Sequence, residues 1–452
     1  MEYIQVSYRR RIITGWNCRE TSSVPIIHPL TEKSATASVT APNNNKVDFV
    51  RLPFPTVPHA PVRLIGVIGL TQILAWGSTF YLPAVLATPI ARDSGWSLSS
   101  VVAGLSWGLL VAGFSAPRAG RLIDQFGGRP VLAASSLLLA AGLAMMGLAP
   151  NLLIYFLAWT ILGMAMASGL YDAAFSTLGR LFGEDSRTAM KGVTLMGGFV
   201  STLAWPAITG LEAELGWRNT CLVLAGVHLS VGLPLYLLLI PHEQQRKSQV
   251  ERTEKPDMPA GSLNEARYLF LLVAVLFTLQ SSVMSSLSVH LLDVLGQLGF
   301  AASAALAVGM MIGPSQVVAR LLEFSLWRTL HPTWSARGAV FLCCLGLVLL
   351  IPAEPTLAFV AMALYGAGNG LLTIVRGTLP LALFGPQGYG ARMGLLGRPI
   401  LFAQAIAPLV MAMVLNELGP TTLISALTGL ALVGLVVTWR LPIRRDESSQ
   451  DN

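Results

Sequence analysis

The sequence predicts an all-α membrane protein in which twelve transmembrane helices form two six-helix halves. Three observations predict it. Of the 452 residues, 53% are hydrophobic and 12% charged, and the mean hydropathy is +0.63, too apolar for soluble domains of this length. Twelve apolar runs follow one another from Arg63 onward, and a bilayer core about 30 Å thick needs about 20 apolar helical residues per crossing. The basic residues behind the net charge of +7 gather in the gaps between runs, a topology signal and not a nucleic-acid-binding patch.

Residues 1–61 carry Arg9, Arg10 and Arg11 and are rich in Ser, Thr, Pro and Asn, with no run long enough to span. They read as a disordered cytoplasmic extension or as a start placed too early. The apolar runs lie at about 64–90, 98–117, 130–149, 151–180, 190–212 and 218–240, then at 267–291, 301–322, 336–352, 356–384, 391–415 and 420–440. This gives an N-terminal bundle over 62–241, a charged linker over 242–266, a C-terminal bundle over 267–441 and a tail over 442–452. With the linker placed inside, the inner loops and tail hold eighteen Lys or Arg and the outer loops only Arg92 and Arg218. Both termini are therefore expected in the cytoplasm.

The most informative polar stretch is GRLIDQFGGRPVL, Gly120 to Leu132, between two runs that hold no charge. Glycines suit a tight turn, Asp124 a helix cap and Arg129 a headgroup anchor. Gly120, Leu122, Asp124, Phe126, Gly127, Arg129 and Leu132 fall as in the loop between helices 2 and 3 of the major facilitator superfamily, and the chain resembles that superfamily over about 62–441. Gln125 and Gly128 depart from the pattern. The resemblance implies alternating access, with Gly120, Asp124, Gly127 and Arg129 as a cytoplasmic gate closing on the eleventh helix near Arg392. Trp159 stands where proton-driven exporters carry an arginine, which points toward a monocarboxylate-porter-like branch.

The halves also repeat. Phe182-Gly183 returns as Phe384-Gly385, Gly192 as Gly394 and Pro206 as Pro408, all 202 residues on, and AGRLID at 119–124 returns as VARLLE at 318–323.

Ionisable residues inside the runs are informative, because charge in hydrocarbon costs several kcal/mol unless paired or hydrated. Asp172 lies in the fourth run and Arg376 in the tenth. The repeat aligns Asp172 with Thr373, and Arg376 lies three residues on, on the same helix face. The resemblance places helices 4 and 10 at the central cavity, so the two residues are expected to pair when the cytoplasmic side closes; snorkelling to headgroups is the alternative. Arg398, before Pro399, either adds positive potential or bonds carbonyls freed by the proline. Gln72, Trp76, Tyr81, Gln280, Asn369 and Gln404 are further candidates for the substrate pathway, with interhelical bonding as their ordinary alternative.

His290 and Asp293 share a face, yet two ligands are too few for a metal site, and no cofactor is expected. Cys343 and Cys344 are adjacent on a helix and diverge by about 100°, a poor chelate. No G-x-S-x-G, H-E-x-x-H or phosphate loop points to an enzyme. The expectation is a bacterial inner-membrane secondary transporter of a small organic anion such as a monocarboxylate. It would be a monomer in the lipid bilayer, with a proton as the candidate coupling ion and no nucleic-acid partner. Metalloid (arsenite) or drug efflux is the alternative, followed by a non-transporting sensor.

Overall fold

Helix follows helix through nearly all the residues that the computed structural model describes, which are 62–241, 260–325 and 330–443. The readings made for residues 1–61, for most of the linker and for the end of the tail lie outside them. Several apolar runs are not single helices. The first divides into α1 (Val62–Gly77) and α2 (Pro83–Ser94), because Pro83 brings no N–H to continue the ladder. The second and third form α3 (Leu98–Phe126) and α4 (Gly128–Gly147). The fourth breaks at Leu170, whose backbone is extended, into α5 (Leu152–Gly169) and α6 (Tyr171–Phe182).

The fifth and sixth runs form α7 (Ser186–Gly197), α8 (Val200–Val227), a π-turn (His228–Gly232) and α9 (Leu233–Leu239). Gly216, at φ 75°, divides α8. The π-turn has a local cause: the Pro234 ring crowds the carbonyl four residues back, at Ser230, and widens the helix there. The rest are α10 (Ala260–Gln297), α11 (Ala302–Met310), α12 (Ile312–Ser325), α13 (Pro332–Leu350), α14 (Pro355–Phe384), α15 (Tyr389–Leu418) and α16 (Pro420–Trp439).

Ten helical stretches among the described residues are long and apolar enough to cross a membrane. One, Ser186–Leu239, is 54 residues long and is divided at Gly216, and α1 with α2 adds a further span, so the helices amount to twelve crossings. The internal repeat has a backbone counterpart. α6 ends at Phe182 and α14 at Phe384, and the glycine after each, Gly183 at φ 58° and Gly385 at φ 71°, takes a positive φ that only glycine adopts readily.

Packing brings α3 against α5 and α15, α4 against α5 and α8, α1 against α7, α12 against α14, and α13 against α14 and α16. Small residues permit the close approaches that hold apolar helices together where no water is available to drive them. A Cβ on Gly346, for example, would stand 2.5 Å from the Ala361 carbonyl oxygen.

Candidate functional site

The last turn of α3 meets the first turn of α15. Asp124 Oδ1 accepts the Gly390 N–H at 3.0 Å and Oδ2 accepts the Ala391 N–H at 2.6 Å. These N–H groups begin a helix and have no partner within it, so the carboxylate satisfies them and the positive end of the helix dipole together. The Asp124 backbone carbonyl accepts from the Arg180 guanidinium at the end of α6. Glycines make the approach possible: a Cβ on Gly120 would run into the Gly390 carbonyl, and one on Gly394 into that of Ala116. Gly127, at φ 87°, ends α3, and Arg129 sits half-buried in the first turn of α4. The Arg392 side chain does not reach Asp124 but donates to the Phe384 carbonyl at 2.7 Å.

The repeat counterpart of Asp124 is Glu323 on α12, whose chemistry differs. Its Oε1 lies 3.2 Å from Lys191 Nζ on α7 and accepts from Ser335 Oγ at 2.9 Å, and both charged side chains are almost fully buried.

Asp172 and Arg376 meet as a fork. Arg376 Nε donates to Oδ1 at 2.9 Å and Nη2 to Oδ2 at 2.6 Å, linking the first turn of α6 to α14. Both lie in the half-buried range, where a bidentate, charge-assisted pair is stronger than an exposed one.

Beside this fork the helix breaks gather aromatic rings. Tyr171 stacks on Phe175 at 5.2 Å and meets Trp76 at 5.1 Å; Trp76 also meets Tyr81 at 6.5 Å, and Tyr81 meets Trp205 at 6.0 Å. Gln72 serves the break between α5 and α6, its Nε2 donating to the Gly169 carbonyl at 2.7 Å. Gln72 Oε1 and Trp76 Nε1 are buried with no partner among the described residues.

Arg320, one of the eighteen Lys or Arg counted above to the inner loops and tail, was not singled out as a site residue. It is 5% exposed on α12 and donates to the carbonyls of Gly370 (3.3 Å) and Thr194 (3.1 Å), to Thr373 Oγ1 (3.2 Å) and to Gln316 Oε1 (3.4 Å). No carboxylate is among those partners. A Cβ on Gly198 would stand 2.8 Å from Arg320 Nη1, and one on Gly197 would collide with the Tyr171 hydroxyl, so guanidinium and phenol lie over neighbouring glycines. The repeat held the signal, since it pairs Arg320 with Arg121. Lys191, another of those eighteen cations, is buried inside α7.

The remaining candidates are dispersed. Asn369 is half-buried on α14, one turn before Thr373, whose hydroxyl donates to its carbonyl. Gln404 is buried on α15. Gln280 is turned to α16, where a Cβ on Gly434 would stand 2.5 Å from its Nε2. Arg398 is exposed on α15, over the rings of Phe114 (5.6 Å) and Phe402 (5.8 Å). His290 donates from Nε2 to the Pro408 carbonyl, 2.8 Å away, and no cluster of three metal-ligating residues occurs among the described residues.

The family model described as Major Facilitator Superfamily matches residues 68–397, most of the chain. The chain belongs to the major facilitator superfamily. It is therefore a multi-pass membrane protein with the fold of that superfamily. Among its relatives, an uncharacterized 38 kDa protein in the 23S RNA operon of Thermoproteus tenax is 27% identical over 331 residues, 72% of this chain and 81% of that one. The gentisate transporter of Corynebacterium glutamicum is 25% identical over 222 residues, 46% of this chain and 49% of that protein, so the match spans about half of it. Among solved structures, the human organic anion transporter MFSD10 (TETRAN) superposes with a TM-score of 0.64 at 17% identity, covering 84% of this chain and 100% of that one.

Proposed function

We propose that this protein is a secondary active transporter of a small organic anion, such as a monocarboxylate, working by alternating access in a bacterial inner membrane. The observation that carries the substrate class is the charge balance of the buried interior. Asp172 offsets Arg376 and Glu323 offsets Lys191, whereas Arg320 has only carbonyl, hydroxyl and amide oxygens. The Arg320 guanidinium, beside aromatic rings, thus has no carboxylate partner among the described residues, and a carboxylate that brings its own charge offsets it. The gentisate transporter relative supports this reading, since gentisate is an aromatic carboxylate.

In this reading Arg320 and Tyr171 join Gln72, Trp76, Tyr81 and Asn369 along the substrate pathway. The Asp172–Arg376 fork and the Asp124 latch hold the cytoplasmic side shut and part when it opens. Arg398 and Gln404 on α15, and Gln280 on α10, lie along the same route. Both termini and the linker 242–266 face the cytoplasm, a proton is the coupling ion, and a monomer suffices.

The test is transport by proteoliposomes under an imposed pH gradient, with lactate, benzoate, gentisate, arsenite and a cationic dye as the panel. Wild-type protein should move a carboxylate, and Arg320→Ala should raise KM for it about tenfold or more, the loss of roughly one charge-assisted contact. Movement of arsenite or the dye instead, unchanged in Arg320→Ala, would overturn the anion reading.

A further inference from the structure

The π-turn creates a second buried polar site, separate from the latch and the fork. His228, its first residue, is 3% exposed, and its Nε2 lies 2.8 Å from Ser78 Oγ in the irregular segment between α1 and α2. The Ser78 hydroxyl has one hydrogen, which it directs to the Leu74 carbonyl at 2.7 Å. With that hydrogen on the Leu74 carbonyl, Ser78 Oγ is assigned as the acceptor toward the ring and His228 Nε2 as the bearer of the ring proton. That leaves the Nδ1 lone pair without a hydrogen.

Nδ1 has a neighbour of its own. A Cβ on Gly232 would stand 3.4 Å from His228 Nδ1 and 3.0 Å from Ser136 Oγ, so both atoms border the space that glycine leaves at 232. Ser136, on α4, is 1% exposed, and its Oγ has no partner among the described residues. The arrangement thus offers one basic lone pair and one unpartnered hydroxyl across a gap.

We infer that His228 Nδ1 is the binding site of the coupling proton, with Ser136 as the acceptor that the new N–H finds. The inference rests on the transport reading above. Proton uptake converts a lone pair to an N–H and breaks no bond in the substrate, and release on the opposite side restores the neutral ring. The site as built suits that neutral ring, because no ion pair reaches it among the described residues. Of the elements packed against the π-turn, α1 carries Arg63 and α4 carries Arg129, each in its first turn. On α8 lie Glu212 and Glu214, before the break at Gly216, with Arg218 and Cys221 after it; α9 carries Tyr236. Arg218 is engaged by the carbonyls of Gly147 and Ala149 and by Asp93.

The consequence for transport runs through Ser78. The segment His228 holds joins Trp76, at the end of α1, to Tyr81, and both rings belong to the aromatic cluster beside Arg320. Drawing the imidazolium toward Ser136 changes the support of that segment, which links proton occupancy to the position of the rings.

Two measurements on the full-length protein in liposomes test this. The first uses histidine labelled with nitrogen-15 in the ring and needs no substrate. Between pH 8 and pH 5, one signal should pass from the Nε2–H tautomer to imidazolium, vanish in His228→Gln and change its midpoint in Ser136→Ala. A His228 signal that shows the Nδ1–H tautomer, or stays neutral throughout, overturns the inference. The second follows gentisate or benzoate, whichever wild type moves. His228→Gln should lose about tenfold of the accumulation driven by a pH gradient and keep exchange at equal pH within about threefold, and Ser136→Ala should show the same split more weakly. Gradient-driven accumulation equal to wild type in His228→Gln overturns the proton site and leaves the anion reading standing. A wild type that moves no anion of the panel removes the anion reading, and the nitrogen signals still decide whether His228 takes the proton.

Discussion

Arg376 holds Asp172 through two contacts, 2.9 Å at Nε and 2.6 Å at Nη2, and so ties α14 to the first turn of α6 just past the break at Leu170. Removing one partner leaves the other charge half-buried and alone, at a cost of about 3–5 kcal/mol for a buried pair and less where water reaches it. Arg376→Ala and Asp172→Ala are each expected to lower the unfolding temperature of the purified protein in detergent. The double variant should recover part of that loss. A double variant no more stable than the worse single would show that the fork does not act as a pair.

Asp124 accepts two first-turn N–H groups of α15, and charge-assisted bonds of this kind contribute about 1.5–3 kcal/mol each. Asp124→Ala is expected to leave insertion in the membrane intact and to cut transport at least tenfold. A cysteine placed at Ala391 should become more reactive to a water-soluble maleimide in that background. Full activity in Asp124→Ala would retire the latch.

The apolar runs and the 120–132 string were legible because hydropathy and glycine spacing are local properties. The fork was anticipated from two things together: alignment of the repeats, which placed Asp172 and Arg376 on corresponding faces, and the superfamily resemblance, which put helices 4 and 10 across the cavity from each other. The breaks at Leu170 and at Gly198 were not legible, since a hydropathy window is blind to a turn made of apolar residues, and the one between Gly77 and Pro83 was hidden inside one long apolar run although its proline stands in the sequence. Arg320 and Lys191 were obscured for a related reason. A cation near the end of a run looks the same whether it snorkels outward or, as here, turns inward to carbonyls and Glu323. The π-turn could be suspected only from Pro234, and a proline alone does not say which helix face widens.

Glycine contacts give a sharper test of the α3–α15 approach. A Cβ on Gly120 meets the backbone carbonyl of Gly390, which cannot rotate away as a side chain would, whereas Gly226 on α8 has open space around it. Gly120→Ala is expected to abolish or strongly slow transport by forcing the two helices apart. Gly226→Ala should stay within about 0.5 kcal/mol of wild type or gain slightly, as glycine-to-alanine changes in unstrained helix do. Equal behaviour of the two variants would mean that α3 and α15 are not in this contact in the membrane.

Lys191 and Glu323 form a buried pair between α7 and α12, with Ser335 giving the carboxylate a further bond. Glu323→Gln keeps the shape but leaves the ammonium without its countercharge, so the loss should approach the roughly 3–5 kcal/mol of a broken buried pair. Pairing it with Lys191→Met removes the stranded charge, and the double variant should regain most of the stability. The exposed pair between Arg218 and Asp93, at 3.8 Å, provides the contrast: Asp93→Asn should cost under about 1 kcal/mol and depend on salt. Urea or thermal unfolding in a mild detergent, run at low and high salt, separates the two cases. If Glu323→Gln costs no more than Asp93→Asn, Lys191 finds water or lipid phosphate instead of a buried carboxylate, and the link between α7 and α12 must come from packing alone.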